Sequence, residues 1–344
     1  LGRLLEFALT SNGTGAMVLG ATSGDTGSAA MAGCIGRANL AITILYPHGR
    51  TSEVQRRQMT TLQDTNVHAL AVDGTFDDCQ DMVKTLFQDA AFRRQRTLLA
   101  VNSINFARVL AQIVYYAYAA LRLGAPARRV HFTVPTGNFG DIYAGYLARA
   151  MGLPMGRLVI ASNANNILTR CVTQGDYRMQ GVVPTLSPSM DIEISSNFER
   201  LLFDLFARDG VALGKAMETF RATRSLVLTP AQLADLRAVF GAHSIDDDAT
   251  RATIAHTYRT TGYLLDPHSA VGVAASEAVG MVLSGDAVVT LATAHPAKFP
   301  DAVHQATGSY PALPPHLADL MSRPERITPL AHDLTALKQF LLSH

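Results

Sequence analysis

The sequence predicts an α/β protein with two parallel-sheet subdomains and flanking helices. Three observations carry that expectation. Short apolar runs of strand length alternate with segments of helical apolar spacing. Two of those runs, "AMVLG" and "VHFTVP", lead into Gly-rich turns that open helices. The pattern then starts afresh after "LGAPARR" (123–129), which reads as a connector. With 344 residues, 48% of them hydrophobic, the chain has material for about two domains with sizeable cores.

Taken in order, "LGRLLEFALTSNG" is an amphipathic helix over 1–11 with no cap before it. It lacks the basic region and cleavage site of a signal peptide, and it reads as a helix entered already under way, so the expectation is that sequence precedes Leu1. A strand at 16–20 follows, then a polar turn at 21–27 and an Ala-rich helix at 27–36. Strand 41–47 precedes helix 51–62, strand 67–72 precedes helix 76–90, and strand 97–102 precedes the long helix 105–123. In the second half, strand 130–135, helix 139–151 and strand 157–162 repeat the pattern. The polar stretch 163–198 is expected to be a long functional loop, with helices dominating 199–283, a last strand at 286–293 and a closing helix in the tail 312–344. Right-handed crossovers place all strand C-termini of such a sheet on one edge, where ligands bind.

Composition narrows the function. Twenty-nine basic and 28 acidic residues leave a net charge of +1, which argues against nucleic acid or an anionic membrane as the main partner. Cys34, Cys79 and Cys171 are widely spaced with no CxxC, so neither a disulfide framework nor a zinc knuckle is expected, and a reducing cytoplasmic setting fits. The 11 histidines show no metal-ligand spacing, so no metal is expected.

The polar turns suggest chemistry. "GATSGDTG" and "PTGNFGD" each aim backbone N–H groups and the positive end of a helix dipole, roughly half an elementary charge, at whatever sits there. Neither is a GxGxxG or Walker A sequence, so a nucleotide has no motif support. A Gly-rich turn also serves simply to pack a helix on a sheet, and either turn read alone fits that use. Two on one sheet edge suggest a ligand with two separated anionic groups. In "VNSINFARVLAQ", Asn102, Ser103 and Asn105 are short polar donors, and Arg108 is suited to bidentate phosphate recognition; a helix cap and a solvated arginine are the other reading. In "LATAHPAKF" a core strand ends at Thr293, whose hydroxyl could meet a buried ring nitrogen. Tyr115, Tyr116 and Tyr118 are expected to pack in the core, and "IDDDAT" (245–250) to cap a helix. Arg50, Ser52 and Gln55 stand either beside a pocket or at a solvated helix start. Asn163, Asn165 and Asn166 follow a strand end and are candidates for pocket lining, and His268 is either a structural histidine or a neighbour of the site.

These segments together resemble the threonine synthase family, pyridoxal 5'-phosphate (PLP) enzymes of fold type II, the tryptophan-synthase-β-like fold. The matching stretches, in the family's order, are "ATSGDTGSAA", "ILYPHGRTSEVQ", "DGTFDDCQ", "NSINFARVLAQIVYY", "VPTGNFGD", "DPHSAV" and "TAHPAKF", and they look most like the longer bacterial and fungal branch. The resemblance implies a small subdomain over 13–104 carrying a carboxylate loop, and a large PLP-phosphate-binding domain over 1–12 and 105–344. It implies that Gly137, Asn138, Phe139, Gly140 and Asp141 hold the cofactor phosphate and that Thr293 faces the pyridine nitrogen. Ser23, Gly24 and Thr26 would grip the substrate carboxylate, with Asp25 beside the cofactor's phenolic oxygen. Many fold relatives have Asn where this chain has Asp25, and an ionised Asp cannot donate to that oxygen. Asn102, Ser103 and Arg108 match positions that contact the substrate phosphate.

The implied reaction converts O-phospho-L-homoserine and water to L-threonine and phosphate, a carbon–oxygen lyase step of threonine biosynthesis, by γ-elimination and β-hydration. A cytoplasmic monomer or homodimer is expected. One departure stands out. The family's Schiff-base lysine lies in a segment like "HGPTLAFKD" upstream of a helix like "LGRLLEF", and the lysines of this sequence are Lys84, Lys215, Lys298 and Lys338, none in that context. The expectation is that the anchoring lysine lies before Leu1. The alternatives are a serine/threonine dehydratase-like PLP lyase and a non-catalytic homologue that binds a phosphorylated ligand.

Overall fold

The computed structural model describes residues 2–22, 24–280 and 286–344, with Asp25 placed by its backbone alone. The chain divides into two compact units, Leu1–Asn105 with Leu313–His344, and Phe106–Ala312. Among the described residues, no helix is long and apolar enough to cross a membrane.

The first unit is built on five parallel strands: β1 (Ala16–Ala21), β2 (Leu40–Pro47), β3 (Val67–Val72), β4 (Leu98–Ala100) and, from the C-terminal segment, the strand Thr328–Leu330. Consecutive β1 side chains are buried on opposite faces. Val18 packs with Ile42, Ile44 and Val67 on one face, and Met17 and Leu19 pack with Leu45, Leu70 and Leu86 on the other. Burial on both faces is why these strands read as continuous apolar runs rather than alternating ones. The order across the sheet is Thr328–Leu330, β3, β2, β1, β4. The chain therefore steps from β1 to β2 to β3 in one direction, then returns to place β4 on the other side of β1. The two loops that leave β1 and β4 at their C-terminal ends flank that reversal, the position where open α/β sheets bind ligands.

The second unit repeats the device. Its parallel sheet contains β5 (Val130–Pro135), β6 (Leu158–Ser162), β9 (Phe240–Ser244) and β10 (Ala287–Thr290), in the order β10, β5, β6, β9. An antiparallel pair, β7 (Asp176–Arg178) and β8 (Ser225–Val227), stands apart from it; the strand Thr328–Leu330 is then β11. The reversal here lies between β5 and β10, where Thr133 pairs with Thr290. The core gathers Phe132, Val134, Phe139, Ile160, Phe198, Phe220 and Phe240.

Several boundaries differ from those expected. The chain divides after Asn105 and not at the 123–129 connector, and helix Gly2–Ser11 and the 313–344 tail belong to the first unit. The causes are local. Leu9 is buried with Met31 and Leu40, Glu6 accepts the Ala38 N–H at 2.8 Å, β11 pairs with β3, and Leu337 and Leu341 complete the face made by Leu70 and Leu86. The 163–198 stretch is not all loop: it holds helix Ile167–Gln174 and β7. The region 199–283 contains β8 and β9 among its helices, because the short "FGAHS" pattern of β9 gains its strand character from pairing with β6. Tyr116 is fully buried as expected, whereas Tyr115 and Tyr118 are exposed, because 115 and 118 point away from the face that carries Val109, Tyr116 and Ala120. Asp246 caps helix Asp247–Thr261, as "IDDDAT" implied.

The tail is pinned by charge as well as packing. Glu325 takes two Arg56 N–H bonds, both at 2.9 Å, and the Thr60 hydroxyl at 2.7 Å. The Arg56 bonds come first among the causes that hold the Glu325 carboxyl below its ordinary value of 4.5. A carboxyl lowered in the folded state stabilises the fold above its unfolded pKa, and that contribution is lost as pH falls through the lower folded value. Glu325→Gln is therefore expected to cost about 1 kcal/mol near pH 7 in urea unfolding. The gap from wild type should close as pH drops below the ordinary carboxylate range; a gap independent of pH would remove the ion pair from the account.

Candidate active site

In the first unit, Thr22 directly follows β1. Its buried hydroxyl accepts N–H bonds from Gly24 and Gly27, both at 3.0 Å, and so stands in for a cap at the start of helix Asp25–Cys34, whose Gly24 offers no side chain. Gly24 sits at φ 148°, a conformation that favours glycine, and the end of the Gln55 side chain lies 2.4–2.7 Å from where a Cβ would stand. Gln55 and Ser52 form a capping box for helix Glu53–Thr60, which places Gln55 against this turn, not free in solvent. Thr26 lies in the first turn of helix Asp25–Cys34. Ser23 and the Asp25 side chain fall outside the described residues. Beside β1, β4 leads into Asn102 and Ser103. Asn105 ties off that turn, its amide donating to the Ala100 carbonyl at 2.7 Å and its N–H to the Asn102 carbonyl at 3.1 Å. Pairing of Leu19 with Ala100 thus brings the 22–26 and 101–105 loops out side by side. Thr22→Val keeps the shape but strands two N–H donors, and is expected to lower unfolding free energy by about 1–2 kcal/mol. An unchanged urea midpoint would show that this cap is dispensable.

Arg108 lies in the first turn of helix Phe106–Arg122 in the second unit. Its Nη1 is buried and, among the described residues, has no hydrogen-bond partner. Burial pulls its pKa down, so the group is paying a desolvation cost with no compensating acceptor.

The turn after β5 is held from behind. The Ser195 hydroxyl donates to the Gly137 carbonyl at 2.7 Å, and Asn197 donates to the Asn138 carbonyl through its backbone N–H at 3.0 Å and its side-chain amide at 2.9 Å. The Ser196 hydroxyl donates to Asn138 Oδ1 at 2.7 Å. In a trans peptide the next residue's N–H points opposite to the carbonyl. The N–H groups of Asn138 and Phe139 are therefore turned away from 195–197, on the open side of the turn.

Phe139 takes a left-handed conformation, φ 64°, and begins helix Gly140–Ala150 without a side-chain cap. The cost of that conformation is offset by burial of its ring against Phe198 at 5.2 Å and Phe240 at 5.7 Å. A Cβ on Gly137 would lie 2.8 Å from the Ser189 carbonyl oxygen. A bare backbone turn, outward N–H groups and an uncapped helix start make a fitting cradle for a phosphate. Asp141 follows, its carboxyl pushed up to about 6 by burial, against the opposing effect of the Tyr116 hydroxyl.

Thr293 follows β10, the neighbour of β5, and Leu291 N–H bonds the Thr133 carbonyl at 3.0 Å. The 136–140 and 291–293 segments thus leave one sheet edge together. A cavity of about 410 Å³ lies beside the Thr293 segment, lined among others by Asp266, Ser269, Thr293 and His295, and the 136–140 turn is not part of its lining.

Asn163 and Asn165 are not lining residues. Both are buried, and their amides donate to Asp191 Oδ1 at 2.8 and 2.9 Å, with further bonds to Thr185 and Val183 that brace the 183–191 loop. Asn166 precedes helix Ile167–Gln174 and accepts from Arg170. Ser195, Ser196, Asn197 and Ser189 were not singled out from sequence; the run "SSN" after the braced loop was the one available signal.

A family profile described as "Pyridoxal-phosphate dependent enzyme" matches residues 2–238, and one described as "Threonine synthase, C-terminal" matches 269–341. A threonine synthase of Pseudomonas aeruginosa is 52% identical over 345 residues, covering 100% of this chain and 73% of its own length. A threonine synthase of Eremothecium gossypii is 47% identical over 85% of this chain, which spans 60% of that relative. The crystal structure of PLP-bound threonine synthase from Brucella melitensis superposes with a TM-score of 0.96 at 50% identity, over 100% of this chain and 74% of that one.

Proposed function

The chain belongs to the threonine synthase family of PLP-dependent enzymes, and from there we propose that it takes O-phospho-L-homoserine and water to L-threonine and phosphate. Bound PLP supplies the electron sink that stabilises negative charge beside the amine-bearing carbon. The protein's part is to hold charged groups and direct them. The N–H groups of Asn138 and Phe139 and the start of helix Gly140–Ala150 would hold the cofactor phosphate, and Gly137 lets the Ser189–Met190 backbone close against the turn from behind. Asp141, whose carboxyl burial raises to about 6, is still mostly ionised at neutral pH, and a phosphate held beside it would raise it further toward the neutral form. The Thr293 hydroxyl is assigned to the ring nitrogen. Gly24 and Thr26 are assigned to the substrate carboxylate, and the family resemblance gives Ser23 the same role and Asp25 the phenolic oxygen.

Arg108 is assigned to the phosphate that leaves, the role that the family resemblance also gives to Asn102 and Ser103. The observation that carries the phosphorylated substrate is Arg108, whose buried Nη1 lacks an acceptor among the described residues and is suited to a phosphate oxygen. The test is product analysis with PLP-loaded protein. Equal amounts of inorganic phosphate and threonine from O-phospho-L-homoserine support the reading. Ammonia and a 2-oxo acid from threonine or serine, with no phosphate released, would assign a dehydratase instead.

A further inference from the structure

We infer that His268 is a positioning residue that ties the wall of the phosphate turn to the Thr293 segment. The inference rests on the cofactor assignment above, because it concerns what keeps those two contacts in register. His268 lies in helix Pro267–Ala278 with only 3% of its surface exposed, and its two ring nitrogens face different elements.

Nε2 lies 3.1 Å from the backbone nitrogen of Ser189. A backbone N–H can only donate, so Nε2 accepts and carries no proton. The ring proton of the neutral imidazole then sits on Nδ1, which donates to Asp266 Oδ1 at 3.0 Å. A doubly protonated ring would turn an N–H toward the Ser189 N–H, so this geometry selects one neutral tautomer. Phe299 covers the ring, with centroids 4.7 Å apart.

Each bond leads to the site. On the Nε2 side, Ser189 and Met190 are the residues whose backbone would meet a Cβ on Gly137, so they form the wall of the phosphate turn. On the Nδ1 side, Asp266 is fully buried and caps the helix, accepting the N–H groups of His268 and Ser269 as well as the Ser269 hydroxyl. The Ser269 oxygen in turn accepts the N–H of Thr293 at 3.3 Å. One ring thus sets the distance between two elements that must meet the same small molecule, its phosphate at one and its ring nitrogen at the other. Asp266, Ser189 and Ser269 are the polar groups bonded around it, and His268 itself need touch neither cofactor nor substrate.

Two variants separate the halves of this link. Asn places an amide near the Nδ1 position and falls short of Ser189, whereas Gln reaches the Nε2 position and can accept the Ser189 N–H. The readouts are amide hydrogen exchange at Ser189 in the cofactor-free protein and the dissociation constant of PLP by titration. His268→Asn should speed Ser189 exchange about tenfold, the effect of one hydrogen bond, while His268→Gln should leave it within about threefold of wild type. Each variant breaks one half of the link, so both should raise the dissociation constant of PLP about tenfold. Equal Ser189 exchange in the two variants, in either direction, overturns the proposal, and so does weaker PLP binding in one variant alone. If Ser189 exchange separates them and PLP affinity stays at the wild-type value in both, the link exists and the cofactor assignment of this edge is what fails. Should a variant not fold, ¹⁵N shifts of the wild-type ring decide: a protonated Nε2 overturns the proposal, and a protonated Nδ1 with a bare Nε2 supports it.

Discussion

Gly137→Ala is expected to raise the dissociation constant for PLP by about 5- to 150-fold, the equivalent of the roughly 1–3 kcal/mol that overpacking a tight site costs. The added methyl would stand 2.8 Å from the Ser189 carbonyl oxygen and 3.2 Å from the Met190 Cα. Both are backbone atoms, so no side-chain rotation can relieve the contact. The wall cannot retreat easily either. Ser189 is held by His268, and its loop is braced by Asn163, Asn165 and Asp191. The turn must then lift away from Ser195 and Asn197, and the directions of the Asn138 and Phe139 N–H groups change with it. Gly214→Ala provides the control. That glycine lies in helix Gly210–Thr223 with nothing within 4 Å of a would-be Cβ, and Ala there should leave cofactor affinity unchanged. Affinity for PLP indifferent to Gly137→Ala would remove the phosphate from this turn.

Arg108→Ala is expected to raise KM for O-phospho-L-homoserine by about 10- to 150-fold, from loss of a charge-assisted hydrogen bond worth about 1.5–3 kcal/mol. The dissociation constant of PLP should not move, since the group assigned to it lies elsewhere. Arg108→Lys should recover part of the loss, because the charge returns but the planar fork does not. The buried, unpartnered Nη1 gives the residue no alternative bond to lose among the described residues, so a fall in folding stability on substitution is not expected. If the variant instead impairs a non-phosphorylated amino acid and its phosphorylated form equally, Arg108 does not read the phosphate.

Much of the chemistry was legible before folding because it is local. "PTGNFGD" and "SGDTG" are short, their glycines answer to backbone geometry, and a turn between strand and helix presents its N–H groups wherever it occurs. Arg108 and Thr293 were singled out through family resemblance and their places at element ends. The scaffold behind these residues was not. Asn163 and Asn165 looked like pocket lining because they follow a strand end, yet a buried amide bonds the nearest acceptors, and the fold brings Asp191 to them. Tyr115 and Tyr118 looked like core because apolar rings on a helix usually are, and helix phase turned them outward.

Residue types and their spacing were enough to establish the alternation of strands and helices and the two Gly-rich turns. Only three-dimensional packing decided the order of strands within each sheet. That order places the 22–26 loop beside 101–105 and the 136–140 turn beside Thr293, at the reversal point of each sheet. It also assigned the first helix and the last 32 residues to the same unit as β1–β4. The reason is physical: period and turn chemistry are encoded within a few residues, whereas strand neighbours are chosen by the burial of whole faces, to which distant segments such as Leu9, Leu330 and Leu337 contribute together.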